Sequence, residues 1–226
     1  MPRSYDQHCS LALALDVVGD RWALLIVRDL LLGPRRFGEL LDGLPGLGTD
    51  ILTARLRDLE AEGVVTRRTE GRATWYELTE AGRALAPVMR ELAIWGVRRF
   101  LAPPLAENFT PRSTLTALSM GAAAATTVDG AEGEYELRVG PEVATLAVGT
   151  GGMSATQGPA SDPVATVIFT PAGVLALIMG SPLERLATTG EAKVEGDVTK
   201  AASVLEALSC SGIVAGYFAS LSAALP

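Results

Sequence analysis

The stretch from Gly48 to Val65, GTDILTARLRDLEAEGVV, decides the fold of the first half of the chain. Three leucines in it recur with the period of a helix and share one face: Leu52, Leu56 and Leu59. Thr49 can cap the start of this helix and Gly63 follows its end, which predicts a helix over Asp50–Glu62. The leucine face must pack on neighbouring elements, while the opposite face is left for solvent or a partner.

The neighbouring segments place this helix third in a recognisable order. They predict, in chain order, a helix over Leu11–Leu32, a short amphipathic helix over Phe37–Leu44, a hairpin of Val64–Arg68 with Thr74–Leu78, and a helix from Thr79 to about Phe100. Helix, helix, turn, helix, hairpin, helix is the order of a winged helix-turn-helix, a mostly α unit with a β-hairpin wing. A third helix of this size fits the major groove of double-stranded DNA.

The polar residues of the third helix, its approach and the hairpin are the candidate DNA contacts: Arg35, Arg36, Thr49, Asp50, Thr53, Arg55, Arg57, Arg67, Arg68 and Arg72. Those on the third helix could meet base edges or phosphates, and those of the hairpin could touch phosphates. Each arginine could also be an ordinary solvated residue. Asp50 has two readings, because it could accept from a cytosine amino group or support the helix N-terminus.

Several blocks in this half resemble one family in order and spacing: Asp16–Leu30 (DVVGDRWALLIVRDL), Arg36–Leu40 (RFGEL), Leu52–Glu60 (LTARLRDLE) and Tyr76–Gly82 (YELTEAG). The chain is similar there, over about residues 5–100, to HxlR-type regulators. The resemblance implies a winged-helix homodimer, related in fold to the MarR type, that binds a pseudo-palindromic operator. The wing, from Arg68 to Thr74, is shorter than usual for the family.

The charge is distributed unevenly along the 226 residues. The whole chain carries −7, which alone disfavours a simple nucleic-acid binder. Residues 1–100 contain 14 Arg, no Lys and 14 Asp and Glu, whereas residues 101–226 contain 5 Lys and Arg against 12 Asp and Glu. The first half is therefore neutral and the second acidic, which indicates two domains with different partners. The fold class expected is α+β with two domains.

The second half changes character after a proline-rich stretch. We expect domains at residues 1–100 and 113–226, joined by a linker over residues 101–112 that contains Pro103, Pro104 and Pro111. The strands expected are Glu134–Val139, Val143–Val148, Gly152–Gln157 and Val164–Phe169. Pro171 suits the first position of a short apolar helix over Ala172–Met179, and Asp197 can cap a last helix.

The segment Pro171–Gly180 (PAGVLALIMG) followed by Gly190–Asp197 (GEAKVEGD) resembles the end of sterol-carrier-protein-like domains, and the match covers about residues 113–210. The resemblance implies an α/β domain with a curved sheet and an apolar pocket for a hydrophobic small molecule, such as an acyl chain or a sterol-like or polyketide-like compound. The candidate lining residues are Met153, Phe169, Leu175, Ile178, Met179, Val204, Leu208, Tyr217 and Phe218. Each could equally be an ordinary core residue.

Cys9 is a candidate redox residue, since some HxlR-type proteins sense oxidants or electrophiles through an N-terminal cysteine. The alternative is an unreactive cysteine near the dimer contact. The sequence contains no set of acid, base and nucleophile that indicates an enzyme, and no cofactor or metal site is expected. The tail is too short to span a bilayer, so we expect no membrane insertion. The two cysteines lie in different halves and form no CxxC pair, so a reducing cytoplasm is the simplest compartment.

Three hypotheses follow: a transcriptional regulator controlled by a hydrophobic ligand, a redox regulator that acts through Cys9 with the second domain as scaffold, and a lipid carrier whose winged helix contacts other proteins.

Overall fold

The computed structural model describes residues 4–96, 111, 115–116, 118–119, 122, 125, 128–178 and 180–208. The chain divides into two compact units, residues 1–89 and 90–226. Of the linker expected over residues 101–112, only Pro111 is among the described residues, and the domain boundaries stay a prediction.

The first unit combines helices with a small antiparallel sheet. Its elements are α1 (Ser10–Val18), α2 (Ala23–Leu30), β1 (Arg35–Arg36), α3 (Phe37–Gly43), α4 (Thr49–Ala61), β2 (Val65–Glu70), β3 (Ala73–Leu78), α5 (Glu80–Arg83) and α6 (Ala86–Gly96), which continues past residue 89. The sheet has the order β1-β3-β2. The three leucines of α4 are buried, as their spacing predicts, and α4 contacts α1 and β2.

The helix expected over Leu11–Leu32 is wrong as one element. A turn at Gly19–Trp22 separates α1 from α2. Gly19 lies at the end of α1, where its N–H donates to the carbonyl oxygen of Leu15 at 2.8 Å. A Cβ at Gly19 would clash with that oxygen, so the turn depends on the missing side chain.

The helix expected from Thr79 also divides in two. Thr79 caps α5 as expected, because its Oγ1 accepts from the N–H of Gly82 at 3.1 Å and donates to the carbonyl oxygen of Gly63 at 2.6 Å. A break follows at Ala84 and Leu85 before α6 begins. Pro87, in the first turn of α6, has no N–H to donate to the preceding turn, so a continuous helix would lose a backbone hydrogen bond there.

Over residues 128–178 and 180–208, the second unit contains a five-stranded mixed sheet and three short helices. Its elements are β4 (Gly133–Val139), β5 (Glu142–Gly149), β6 (Gly152–Gln157), β7 (Pro163–Phe169), α7 (Pro171–Ile178), α8 (Leu183–Thr189), β8 (Ala192–Gly196) and α9 (Val198–Leu208). The order is β6-β5-β4-β7-β8, with β4 and β7 parallel and the other neighbours antiparallel. The expected strands are confirmed to within one residue at each end, while α8 was not anticipated.

The centre of this sheet is buried on both faces. Leu137 and Val167 lie on the apolar face, and α7, α8 and α9 contact the sheet at β7 or β8. Glu136 lies on the other face, yet it is also buried. The connection from β6 to β7 reaches it there, because one carboxylate oxygen accepts from the N–H of Ala160 at 3.1 Å. Arg138 pairs with the other oxygen at 2.6 Å.

Within the described part of the chain, no helix has the length and apolar character needed to cross a membrane. The same residues contain no group of three or more His, Cys, Asp or Glu side chains that could hold a metal ion.

Candidate nucleic-acid interface

Helix α4 presents one face to the core and the other to solvent. Its leucines are buried, whereas Asp50, Thr53 and Arg57 are exposed and Ala54 is half-buried. Asp50 lies in the first turn. The exposed face is therefore the one that the leucine spacing predicts, and it presents a carboxylate and a guanidinium that are two helical turns apart.

The start of α4 differs from the expectation. Gly48, with an extended backbone, is the capping residue, and Thr49 is the first residue of the helix. Gly48 makes no side-chain cap, because it has no side chain. The carbonyl oxygen of Thr49 accepts from Thr53 Oγ1 at 2.8 Å. Thr49 as the cap is thus wrong by one residue, although its side chain remains exposed.

Three of the candidate arginines form ion pairs within the unit. Arg55 contacts Asp20 and Asp58, the latter at 3.1 Å, and is only 27% exposed. Arg67 reaches Glu60 of α4 at 3.6 Å. Arg68 contacts two glutamates of the hairpin, Glu70 and Glu77. Exposed pairs of this kind contribute little to stability, but they hold each guanidinium beside a carboxylate.

Arg57 and Arg72 differ from these three, because neither has a hydrogen-bond or ion-pair partner among the described residues. Arg57 lies on the solvent face of α4. Arg72 lies in the two-residue turn of the wing, after Gly71, whose φ of 59° requires a residue that tolerates the left-handed region. Both guanidinium groups are therefore available to an anion or a base edge.

The structure contradicts the expectation that Arg35 is exposed. It was expected beside Arg36 near the DNA backbone, but its side chain is 1% exposed and its Nε lies 3.5 Å from the carbonyl oxygen of Asp29 in α2. The reason is β1, where successive side chains point to opposite faces of the sheet. Arg36 is exposed, and its guanidinium lies 4.5 Å from the centroid of the Trp75 ring. Only Arg36 of this pair is exposed to a ligand.

The comparisons with known proteins concern this same half of the chain. The model of the HxlR-like helix-turn-helix family matches residues 17–102. The uncharacterized HTH-type transcriptional regulator YvaP of Bacillus subtilis is 44% identical over 86 residues, which is 36% of this chain and 79% of YvaP. The chain belongs to the HxlR-like helix-turn-helix family.

Other relatives match the same region. The uncharacterized HTH-type transcriptional regulator Rv3095 of Mycobacterium tuberculosis is 41% identical over 90 residues, 38% of this chain and 56% of Rv3095. Among solved structures, the reduced form of the transcriptional regulator YodB from B. subtilis is 33% identical, covers 39% of this chain and 91% of YodB, and has a TM-score of 0.36. The family match ends at residue 102, so the sheet of the second unit lies outside it.

In this HxlR-like protein the candidate redox residue Cys9 immediately precedes α1 and is exposed. Hydrogen bonds from the backbone N–H groups of Ala12 and Leu11 lower the pKa of the Cys9 thiol below its usual value. Solvent access and a lowered pKa both favour the thiolate, which is the reactive form of cysteine.

The candidate ligand-binding residues of the second unit fall into three groups. Four are buried: Met153, Phe169, Val204 and Leu208. Leu175 and Ile178, on α7, are half-buried. Met179, Tyr217 and Phe218 lie outside the described residues. The buried four occupy core positions, and the half-buried pair of α7 is the part of the set with side-chain surface still accessible.

Sequence reasoning missed three polar features. It did not anticipate the buried Arg35 beside Asp29, the stacking of Arg36 on Trp75, or the buried carboxylate of Glu136. Two of these depend on β1, a two-residue strand that is too short to produce a periodic signal. No sequence signal marks Glu136, because the alternation over Glu134–Val139 predicts an exposed side chain there, and its burial depends on the connection from β6 to β7.

Proposed function

We propose that this protein is a homodimeric transcriptional regulator that binds a pseudo-palindromic operator through α4 and the wing, under the control of a hydrophobic small molecule bound in residues 113–226. The observation that carries the DNA-binding part is the solvent face of α4, where Arg57 is exposed and free of partners among the described residues. The wing adds Arg68 and Arg72, and β1 adds Arg36.

Salt dependence of binding to duplex DNA tests the DNA-binding part. Fluorescence anisotropy of the full chain on a labelled operator, selected from a random duplex library, is measured at several salt concentrations. Affinity should fall linearly with salt on logarithmic axes, because lysine or arginine contacts to phosphates release counterions. Binding that is absent, or independent of salt, would refute this part and favour a lipid carrier whose winged helix contacts proteins.

Dimer formation is supported by apolar side chains that have no cover within the described residues. On α6, Val88, Leu92 and Trp95 are exposed at the spacing of one helical stripe. On α1, Leu11 and Leu15 are exposed in the same way. Exposed apolar stripes are typical of interfaces between subunits.

Ligand control is supported by the order of elements in the second unit. Four strands, the apolar helix α7, the strand β8 with Asp197 directly after it, and α9 occur in the order that the resemblance to sterol-carrier-protein-like domains implies, with α8 inserted between α7 and β8. Gly196 has a φ of 100°, and a Cβ there would lie 2.5 Å from the carbonyl oxygen of Val164, so this turn requires glycine. Asp197 caps α9, since its Oδ1 accepts from the N–H of Lys200 at 3.0 Å.

The sensor part has its own test. Small molecules that co-purify with the full chain are identified by mass spectrometry, and operator affinity is measured before and after their removal with a hydrophobic resin. A regulatory ligand must bind the two states with different affinity, so removal should change the operator affinity. Equal affinity with and without the extracted molecule would remove the sensor from the proposal.

A second candidate function is redox control through Cys9, which its exposure and lowered pKa favour. The full chain and its Cys9→Ser variant are treated with a quinone or with hydrogen peroxide before operator binding is measured. Redox control requires that only the chain with Cys9 responds. Cys210→Ser serves as the matched control, and a response that survives in Cys9→Ser would exclude this candidate.

A further inference from the structure

The solvent face of α4 offers few groups that could read a base sequence. Of its polar side chains, Thr53 donates its hydroxyl to the Thr49 carbonyl oxygen at 2.8 Å, and Arg55 is held by Asp20 and Asp58. Asp50 and Arg57 have no hydrogen-bond or ion-pair partner within the described part of the chain. Both lie opposite the buried leucines, with Ala54 between them along the helix.

The two free groups have opposite and unambiguous chemistry. An ionised carboxylate only accepts hydrogen bonds, and a guanidinium only donates them. In the major groove, cytosine presents its N4 amino group as the donor that suits Asp50, and guanine presents O6 and N7 as the acceptor pair that suits Arg57. The negative charge of Asp50 also disfavours a phosphate at this end of α4.

The spacing of Asp50 and Arg57 along α4 predicts the spacing of the two base pairs that they would contact. A helix rises about 1.5 Å per residue, so Asp50 and Arg57 are separated by about 10 Å along the axis. Base pairs follow one another every 3.4 Å or so along the duplex, which makes this separation about three steps. Ala54 and the methyl group of Thr53 lie between the two contacts and suit the methyl group of thymine.

We propose that each operator half-site contains two G·C pairs about three steps apart, one read at the cytosine amino group by Asp50 and the other at guanine by Arg57, with a T·A pair between them against the methyl group of Ala54. This inference rests on the proposed function, since it assumes that α4 enters the major groove. It assigns sequence specificity to two side chains and leaves the exposed arginines Arg36, Arg68 and Arg72 to phosphates.

Selection from a random duplex library tests the pattern directly. The full chain, the variants Asp50→Asn and Arg57→Gln, and the matched controls Asp42→Asn and Arg83→Gln are each taken through the same selection. The controls exchange the same side chains at exposed positions on α3 and α5. Circular dichroism melting of every variant confirms that each is folded.

The wild-type motif should contain the two G·C pairs at the stated spacing. Asparagine and glutamine both recognise adenine, so each variant should shift its own pair from G·C to A·T and leave the other pair unchanged. The preference at the shifted pair should change by about tenfold to a hundredfold. The motifs selected by the controls should match that of the wild type.

Three results would overturn the inference: a wild-type motif without these pairs, a variant motif identical to the wild type, or a variant that weakens all sequences equally, as a phosphate contact would. In each of these the protein still binds DNA, so the proposed function stands. If no motif is enriched and binding does not depend on salt, the proposed function fails, and the inference fails with it.

Discussion

Arg35 and Arg36 are adjacent in sequence and have opposite environments. One is buried against α2, and the other is exposed over Trp75. The sequence presents them as one basic pair, because a strand of only two residues gives no alternation to detect. Pairing with β3 gives the two arginines their different environments, because it sets Arg35 opposite Tyr76 and Arg36 opposite Trp75. Arg35 therefore connects the wing sheet to α2, and its side chain is too buried to be offered to an outside partner.

Replacing each of these arginines by alanine should separate stability from DNA binding. Arg35→Ala should lower the free energy of unfolding by about 2–3 kcal/mol, because a buried hydrogen bond from a charged group is lost. Arg36→Ala should lower it by about 0.5–1 kcal/mol, the contribution of an exposed cation–π contact, and should weaken DNA binding. Urea unfolding and operator anisotropy measure the two effects. Equal losses in the two variants would show that the buried hydrogen bond of Arg35 adds nothing to the free energy of unfolding.

Cys9 should react as a partly activated thiol. Since backbone hydrogen bonds lower its pKa, the rate of alkylation by iodoacetamide should reach half its maximum at a lower pH in the folded chain than in urea. The measurement uses the Cys210→Ser variant, so that only one thiol is followed. Coincident pH profiles in the folded and unfolded chains would contradict the assigned hydrogen bonds.

At the scale of elements, periodicity located most helices and strands but not their interruptions. The leucine spacing of α4 and the alternation in β4–β7 depend on burial, which is strongly encoded in the order of apolar residues. The turn at Gly19–Trp22 and the break at Ala84–Leu85 depend on backbone geometry inside continuous apolar patterns. The exposed side of α4 was predictable because it is the complement of the leucines. The partners of Arg55, Arg67 and Arg68 were not, because they depend on contacts between elements.

Two helical glycines should respond in opposite ways to alanine. A Cβ on Gly82 of α5 would clash with the carbonyl oxygen of Val64, so Gly82→Ala should destabilise the first unit by more than about 1 kcal/mol. A Cβ on Gly38 of α3 would meet no atom within 4 Å, so Gly38→Ala should stabilise it by about 0.5–1 kcal/mol. Thermal unfolding of both variants measures the difference. Equal melting temperatures would disprove the close approach of α5 to Val64, the residue before β2.

At the scale of the whole molecule, the total charge of −7 is distributed unevenly between the two halves of the chain. Residues 1–100 are neutral, with arginine as their only strong cation, and the acidity belongs to the residues that follow. An acidic region repels phosphates, which under the proposed function helps to restrict DNA contact to α4 and the wing. Charge counted by region is therefore more informative about the partner than charge counted over the chain.

At this scale we predict that two copies of the chain associate through the apolar stripe of α6. Leu92→Lys should shift the protein from dimer to monomer, because it places a charge in an apolar stripe, and should weaken operator binding at least tenfold by uncoupling the two half-sites. Sedimentation velocity and operator anisotropy measure both effects. Val198→Lys, at another exposed apolar position on α9, is the matched control and should leave the dimer intact. A Leu92→Lys variant that remains dimeric would exclude α6 from the interface.

The parallel pairing of β4 with β7 has a consequence for biosynthesis. The central strands β4 and β7 cannot pair until Phe169 has left the ribosome, because β5 and β6 lie between them in the sequence. The first unit is built mainly from contacts between neighbouring segments, and such folds form quickly, whereas sheets with distant pairings form slowly. During translation the HxlR-like region should therefore be folded while the second unit is still an open chain, with its apolar strands exposed to chaperones.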